Sequence, residues 1–156
     1  MTLVMEYERA NRDAELARLR RVFALRAMLA EGESQREVAA RFGVTQPAIS
    51  YQVARERTDG VRPSDLIEAG RSVLRQVAEH RGFTQLAVFG SAARGDDRRD
   101  SDLDLLVLPP AAADLFDMIR LQEVLSRIVG RDVDLVSYRG LDSRLDQDIL
   151  RDKVLL

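Results

Sequence analysis

Cysteine is missing from all 156 residues, and histidine occurs once, as His80. The first absence excludes disulfides, thiolate metal sites and cysteine nucleophiles, and it fits a reducing compartment. The second leaves no material for a zinc site built from several imidazoles. Lysine is nearly absent too. Of the 24 basic residues 23 are arginine, a bias better assigned to the base composition of the genome than to chemistry. No apolar stretch approaches the ~20 residues that a membrane-spanning helix needs. The opening MTLVMEYERANRD carries acids early and no basic-then-apolar pattern, so the expectation is a cytoplasmic protein without membrane contact.

What is present reads as a soluble globular chain, 46% hydrophobic and 32% charged, long enough for one ordinary domain or two very small ones. The net charge of −2 conceals an asymmetry. Residues 1–58 hold ten arginines and eight acids, whereas residues 59–156 hold 14 basic and 18 acidic residues. The acidic second part argues against a long nucleic-acid groove there, while the first part permits a local DNA contact.

The first part reads as all-α. A helix is expected over 6–30, with Leu16, Leu19, Val22, Phe23, Leu25, Met28 and Leu29 forming one apolar face, stopped at Gly32. Ser34-Gln35-Arg36-Glu37 reads as a capping box, with the serine capping a backbone N–H and the glutamate reaching back. It opens a short helix that turns Val38, Ala39 and Phe42 inward. After Gly43-Val44, Thr45 caps a third helix with Pro47 in its first turn and Ala48, Ile49, Val53 and Ala54 inward, ending near residue 57. Residues 58–63 read as a linker. Ser64 then caps a helix of about 17 residues, with His80 on the surface near its end. Strands are expected over 84–89, 101–108 and 132–137, a helix over 114–129 with Leu115, Ile119, Leu121 and Leu125 on its core face, and a final helix over 141–156. Residues 64–156 therefore read α-β-β-α-β-α.

The strongest chemical signal is Gly90-Ser91 directly after a strand, then Asp102-Leu103-Asp104, then Asp134 within a later strand. Alternation along a strand puts Asp102 and Asp104 on one face, roughly 7 Å apart. A neighbouring strand would bring Asp134 to the same face. Adjacent carboxylates repel unless a cation sits between them, and an oxygen-only set suits Mg²⁺ or Mn²⁺. A glycine after the strand lets backbone N–H groups approach a phosphate, and Ser91 adds a hydroxyl. No Gly-Lys-Ser/Thr follows Gly90, so this is not a P-loop.

This arrangement, VFGSAARGDDRRDSDLDLLV followed by RDVDLVS, resembles the minimal nucleotidyltransferases (MNT proteins) of the DNA polymerase β-like superfamily over residues 65–156. The resemblance implies that Asp102, Asp104 and Asp134 are catalytic and bind two Mg²⁺ ions. It implies further that Gly90 and Ser91 hold the triphosphate of ATP, with Arg94 as an added phosphate contact, and that Asp134 helps to deprotonate an acceptor hydroxyl.

A second signal, SQREVAARFGVTQPAISYQVARER over 34–57, resembles the helix-turn-helix of Cro-type and related bacterial regulators. Ala39 is small where the helices cross, Gly43 takes the turn, and Val44 and Ile49 plug the core. Gln52 departs from the usual apolar residue, with Val53 following one place later. Thr45, Gln46, Ser50 and Tyr51 would face DNA. Gln46 could pair with an adenine edge, and Arg55 and Arg57 could meet phosphates.

The fold class expected is thus α+β: an N-terminal all-α helix-turn-helix domain over 1–58, a linker over 59–63, and a small α/β nucleotidyltransferase fold with a mixed sheet over 64–156. Two metals on a triphosphate favour in-line attack at the α-phosphorus with loss of pyrophosphate. Small MNT proteins commonly pair as antitoxins with HEPN-type toxins, and some transfer AMP from ATP to a toxin tyrosine. The expected function is therefore a Mg²⁺-dependent adenylyltransferase and antitoxin, acting as a homodimer that also binds operator DNA. The chain ends one helix after Asp134, so the acceptor is expected on a partner. Two alternatives stand beside it: a regulator whose nucleotidyltransferase fold only senses nucleotide, and a toxin-type enzyme acting on tRNA ends.

Overall fold

The computed structural model describes residues 2–156. Helix α1 runs Leu3–Ala30, capped by Thr2, whose side chain accepts from the Met5 N–H. Its apolar residues do not form the single face that their spacing suggests. At 100° per residue Leu16, Leu19 and Phe23 point one way and Leu25, Met28 and Leu29 another. The first set joins the main core, and the second packs with Val38, Ala39 and Ile49 in a small separate one. One helix therefore serves two cores.

Helices α2 (Gln35–Phe42) and α3 (Gln46–Arg55) lie on the second face of α1, joined through Gly43 in the left-handed region. Ser34 Oγ accepts from the Glu37 N–H, so the serine half of the capping box forms, but the return bond from Glu37 does not. Thr45 caps α3 as expected. Three inward assignments fail. Phe42 and Val44 are 51% and 42% exposed, and Ala54 is exposed. Helix α2 is only two turns long, so its last residue overhangs the small core rather than entering it.

Helix α4 (Pro63–His80) crosses α1 closely at Gly70, where an added Cβ would stand 3.1 Å from Phe23 Cδ2. Then come β1 (Thr84–Phe89), the one-turn α5 (Ser91–Arg94), β2 (Leu103–Leu108), α6 (Leu115–Val129) and β3 (Val133–Ser137). The final helix expected over 141–156 is mostly something else. A 3₁₀ turn at Tyr138–Gly140 leads to a short α7 (Gln147–Asp152) and to β4 (Val154–Leu155). Asp142 Oδ1 accepts from the N–H groups of Arg144 and Leu145, a local turn that competes with helix, and the open edge of β1 recruits the last residues as a strand.

The sheet order is β3-β2-β1-β4, with β2 and β3 parallel and the other pairs antiparallel, so the mixed sheet is present. Leu103, Leu105 and Val107 of β2, with Val133 and Leu135 of β3, turn to the helices and are buried against Leu66, Leu74, Leu121, Leu125 and Ile128. Leu121 and Leu125 are thus core as expected, but Leu115 and Ile119, at the start of α6, are 72% and 41% exposed.

Residues 58–63 are not a loose tether. The Thr58 side chain is buried and its hydroxyl donates to the carbonyls of Val129 and Gly130. Buried Arg26, from α1, donates Nη1 to the Ile128 carbonyl and Nη2 to the carbonyls of Val53 and Glu56. Arg131 returns a bond to the Thr58 carbonyl. These contacts satisfy the carbonyls that end α3 and α6, which have no partner within their own helices. They also fix the small helical unit against the sheet domain.

Candidate active site

The face of β2 opposite the helices carries the chemistry, because alternation sends Asp104 away from Leu103 and Leu105. In the ladder Asp104 pairs with Phe89 on one side and with Asp134 on the other. Asp104 and Asp134 are therefore direct neighbours across strands spaced about 4.8 Å apart. Asp104 is half-buried, while Asp102 and Asp134 are exposed. Asp102 lies one residue before β2 rather than inside it, since the strand starts at Leu103 and not at Ser101. Burial first, then the negative charge of Asp134 and then that of Asp102, raise the pKa of Asp104 above the usual carboxylate value. The two flanking acids thus act electrostatically on the central one.

Gly90 follows β1 with φ 73° and ψ −151°, a conformation open essentially to glycine alone. A Cβ there would stand 2.7 Å from Asp104 Oδ2. The Gly90 backbone is therefore pressed against the central carboxylate, and the turn it makes starts α5 at Ser91. Arg94, at the end of that turn, lies 3.3 Å from Asp96 and 3.7 Å from Asp152, so a phosphate would compete for it with two carboxylates.

Two residues that support this loop gave no signal in the sequence. Asp97, with its side chain wholly buried, accepts from the Ser64 N–H at 2.8 Å and from Arg62 Nη2 at 2.9 Å. Burial works against its charge, but the hydrogen bonds from Ser64 and the charge and hydrogen bond of Arg62 outweigh it, and its pKa is lowered. Asp97 thereby does what was expected of Ser64. Helix α4 begins at Pro63 with no side-chain cap of its own, and the capping carboxylate arrives from the loop after α5. Arg62 also donates to the Gly95 carbonyl, so the segment from Gly90 to Asp97 is anchored at its far end.

Among the described residues no three His, Cys, Asp or Glu side chains close round a single point as a metal cage. The donor set nonetheless fits a hard divalent cation. It is all oxygen, and among the described residues none of Asp102, Asp104 and Asp134 has an arginine or lysine ion-pair partner. Mg²⁺ keeps much of its shell for water and substrate phosphate, so two or three carboxylates are what such a site requires.

The residues expected to meet DNA are spread along α3 and beyond it. Thr45, Gln46, Tyr51, Arg55 and Arg57 are exposed and Ser50 is half-buried. The Gln46 amide donates to Gln35 Oε1, and the Arg55 guanidinium sits 5.4 Å from the centroid of the Tyr51 ring.

A family model described as polymerase β, nucleotidyltransferase, matches residues 74–156. The chain belongs to that family. Protein adenylyltransferase MntA of Thermococcus cleftensis is 36% identical over 80 residues, which are 51% of this chain and 81% of the relative. A provisionally named protein adenylyltransferase of Methanocaldococcus jannaschii is 31% identical over 87 residues, 56% of this chain and 92% of that one. A solved structure, provisionally described as a minimal nucleotidyltransferase, aligns with TM-score 0.55 and 40% identity over 60% of this chain and 95% of that one. The span that the family model matches contains Gly90, Ser91, Asp102, Asp104 and Asp134. No helix among the described residues is long and apolar enough to cross a membrane.

Proposed function

We propose that the protein transfers AMP from ATP to a hydroxyl of a protein partner, most simply a tyrosine, and that it acts as the antitoxin to a HEPN-type toxin. The observation that carries the transfer is the packing of the Gly90 backbone against Asp104, with Asp134 beside it in register. A turn whose backbone and hydroxyl can hold phosphate thus abuts paired carboxylates that need a cation. Asp102, Asp104 and Asp134 would hold Mg²⁺, or Mn²⁺, which supplies charge neutralisation at the phosphates when bound. Ser91 and the Gly90–Ala92 backbone orient the triphosphate, Arg94 adds a contact once released by Asp96 and Asp152, and Asp134 takes the proton of the acceptor hydroxyl. A protein as acceptor is supported by the names of the two adenylyltransferase relatives.

Residues 34–57 serve in this reading as a helix-turn-helix on operator DNA. The exposed Gln46 and Tyr51, the Thr45 cap and the arginines at 55 and 57 support it. Gln46 reads a base edge, and Arg55 and Arg57 meet phosphates.

The test is incubation with α-labelled ATP, Mg²⁺ and the product of the adjacent gene. The expected outcome is label on that protein, removed by Asp104→Ala. ATP binding without label on any protein or RNA would leave a nucleotide-sensing regulator in its place, whereas label on tRNA alone would mark a toxin-type enzyme. For DNA, a gel-shift on the protein's own upstream region should weaken steeply with salt. Arg55→Ala should weaken it for all sequences, and Gln46→Ala should relax preference at one base.

A further inference from the structure

The first half of α1 is exposed along its length, and it is not a polar helix. Leu3 is 90% exposed, Val4 66%, Met5 55% and Tyr7 68%. Leu3, Tyr7, Ala10, Ala14, Ala17, Arg21 and Ala24 recur at alternating steps of four and three, which lays them in one stripe. At 100° per residue this stripe points away from the Leu16-Leu19-Phe23 face that holds the nucleotidyltransferase domain. It ends in a cavity of about 360 Å³ lined by Ala24, Leu25, Met28, Phe42, Val44 and Gln52, among others. That cavity is where Phe42 and Val44 remain exposed and where Gln52 stands in place of an apolar residue.

We infer that α1 pairs antiparallel with α1 of a second copy, and that Leu3 and Tyr7 of each chain fill this cavity on the other. Charge selects the orientation. Residues 3–15 contain four acids and two arginines, whereas residues 16–27 contain four arginines and no acid. A parallel pair sets like against like, and an antiparallel pair sets the acidic half on the basic half. The register follows from size. Opposing Ala14 to Ala17 of the other copy puts small residues at the two-fold axis, where the helices can approach. The same register sets Leu3 against Met28, Tyr7 against Ala24 and Ala10 against the stem of Arg21. Asp13 then flanks Arg20 of the other copy, twice, and among the described residues neither side chain has an ion-pair partner within its own chain. The axis falls between residues 15 and 16. At 1.5 Å per residue the points where the two small helical units join α1, residues 25–29, lie about 30–40 Å apart along it. One turn of B-DNA separates half-sites by about 34 Å. That agreement rests on the DNA reading above, while the pairing itself does not.

The full chain in sedimentation equilibrium should be a dimer at micromolar concentration. Tyr7→Asp should raise the dissociation constant at least tenfold with helicity and melting of the monomer unchanged, because Tyr7 is exposed there. Asp13→Arg and Arg20→Asp should each weaken the dimer, and the double variant should restore it. Because the chain has no cysteine, orientation can be read directly: oxidising a mixture of the Ala14→Cys and Ala17→Cys variants should give the crosslinked dimer, and either alone should give little. A monomer at tens of micromolar, a Tyr7→Asp dimer as tight as wild type, or efficient crosslinking of Ala14→Cys alone would each overturn the inference.

Discussion

The two cores that share α1 are built by different rules. The larger one closes helices α1, α4 and α6 over the sheet and buries long runs of leucine and valine from many elements. The smaller one has four buried members, Leu25, Val38, Ala39 and Ile49. In the first, position is fixed by ladders and by dense packing, and the face of the sheet opposite those helices can carry like charges side by side. In the second, too little surface is buried for two short helices to stand alone, so polar contacts do part of the fastening. The difference teaches where each function can tolerate change. The face that carries Asp104 and Asp134 withstands electrostatic strain because the strands beneath it are held from the other side. Helix α3 depends on a single buried isoleucine and on one arginine that belongs to another helix.

Substitutions can break that contrast or sharpen it. Asp104→Ala should lower adenylyl transfer by at least about 100-fold while the chain stays folded and still binds DNA, since it removes a charge from a strand that the helices hold. If both functions were lost together, the sheet would not be the independent platform described. Ile49→Ala should do the reverse. It should cost about 2–5 kcal/mol of the stability of the whole chain and weaken the gel-shift by loosening the seat of α3, with transfer retained below the lowered melting temperature. Asp97→Asn tests the anchor of the Gly90–Asp97 segment. Losing the charged acceptor for Ser64 and Arg62 should cost about 1–3 kcal/mol, with a larger effect on KM for ATP than on DNA affinity.

The smallest effect is in pH. Burial and the charges of Asp134 and Asp102 hold the Asp104 pKa above its unfolded value. Such a carboxyl stabilises the fold below the unfolded value and loses that contribution as pH rises through the raised one. Without metal or nucleotide, wild type and Asp104→Asn should therefore melt alike in acid and separate at neutral pH, the variant higher. A difference of about 1 kcal/mol corresponds to about 2–4 °C for a chain of this size. No separation across that range would mean that the site's charges are screened rather than coupled.

Much of this was legible in the residues. The bounds of β1 follow from TQLAVF between Gly82-Phe83 and Gly90, and Asp104 and Asp134 alternate with leucines and valines in both their strands, so a shared face could be read before any contact was known. What could not be read depends on distant partners. Nothing in RPSDL announces that its cap is Asp97, 33 residues later. Nothing in KVLL distinguishes the end of a helix from a strand that the edge of β1 recruits. The spacing of apolar residues in α1 was visible, but a wheel that wraps most of the way round is a helix with two partners, and the period alone does not separate them.

Arg26 and Thr58 have a thermodynamic consequence. The three carbonyls that Arg26 holds come from both sides of the junction, and α1 runs through both cores without a break. Opening the small helical unit by itself would strand a buried guanidinium and expose the carbonyl ends of α3 and α6. Releasing the sheet domain by itself would strip the same helix of its Leu16-Leu19-Phe23 face. Neither part has an inexpensive partly unfolded state, and heat should therefore take the chain apart in one transition, with calorimetric and van't Hoff enthalpies in agreement, even though its sequence reads as two domains and a linker.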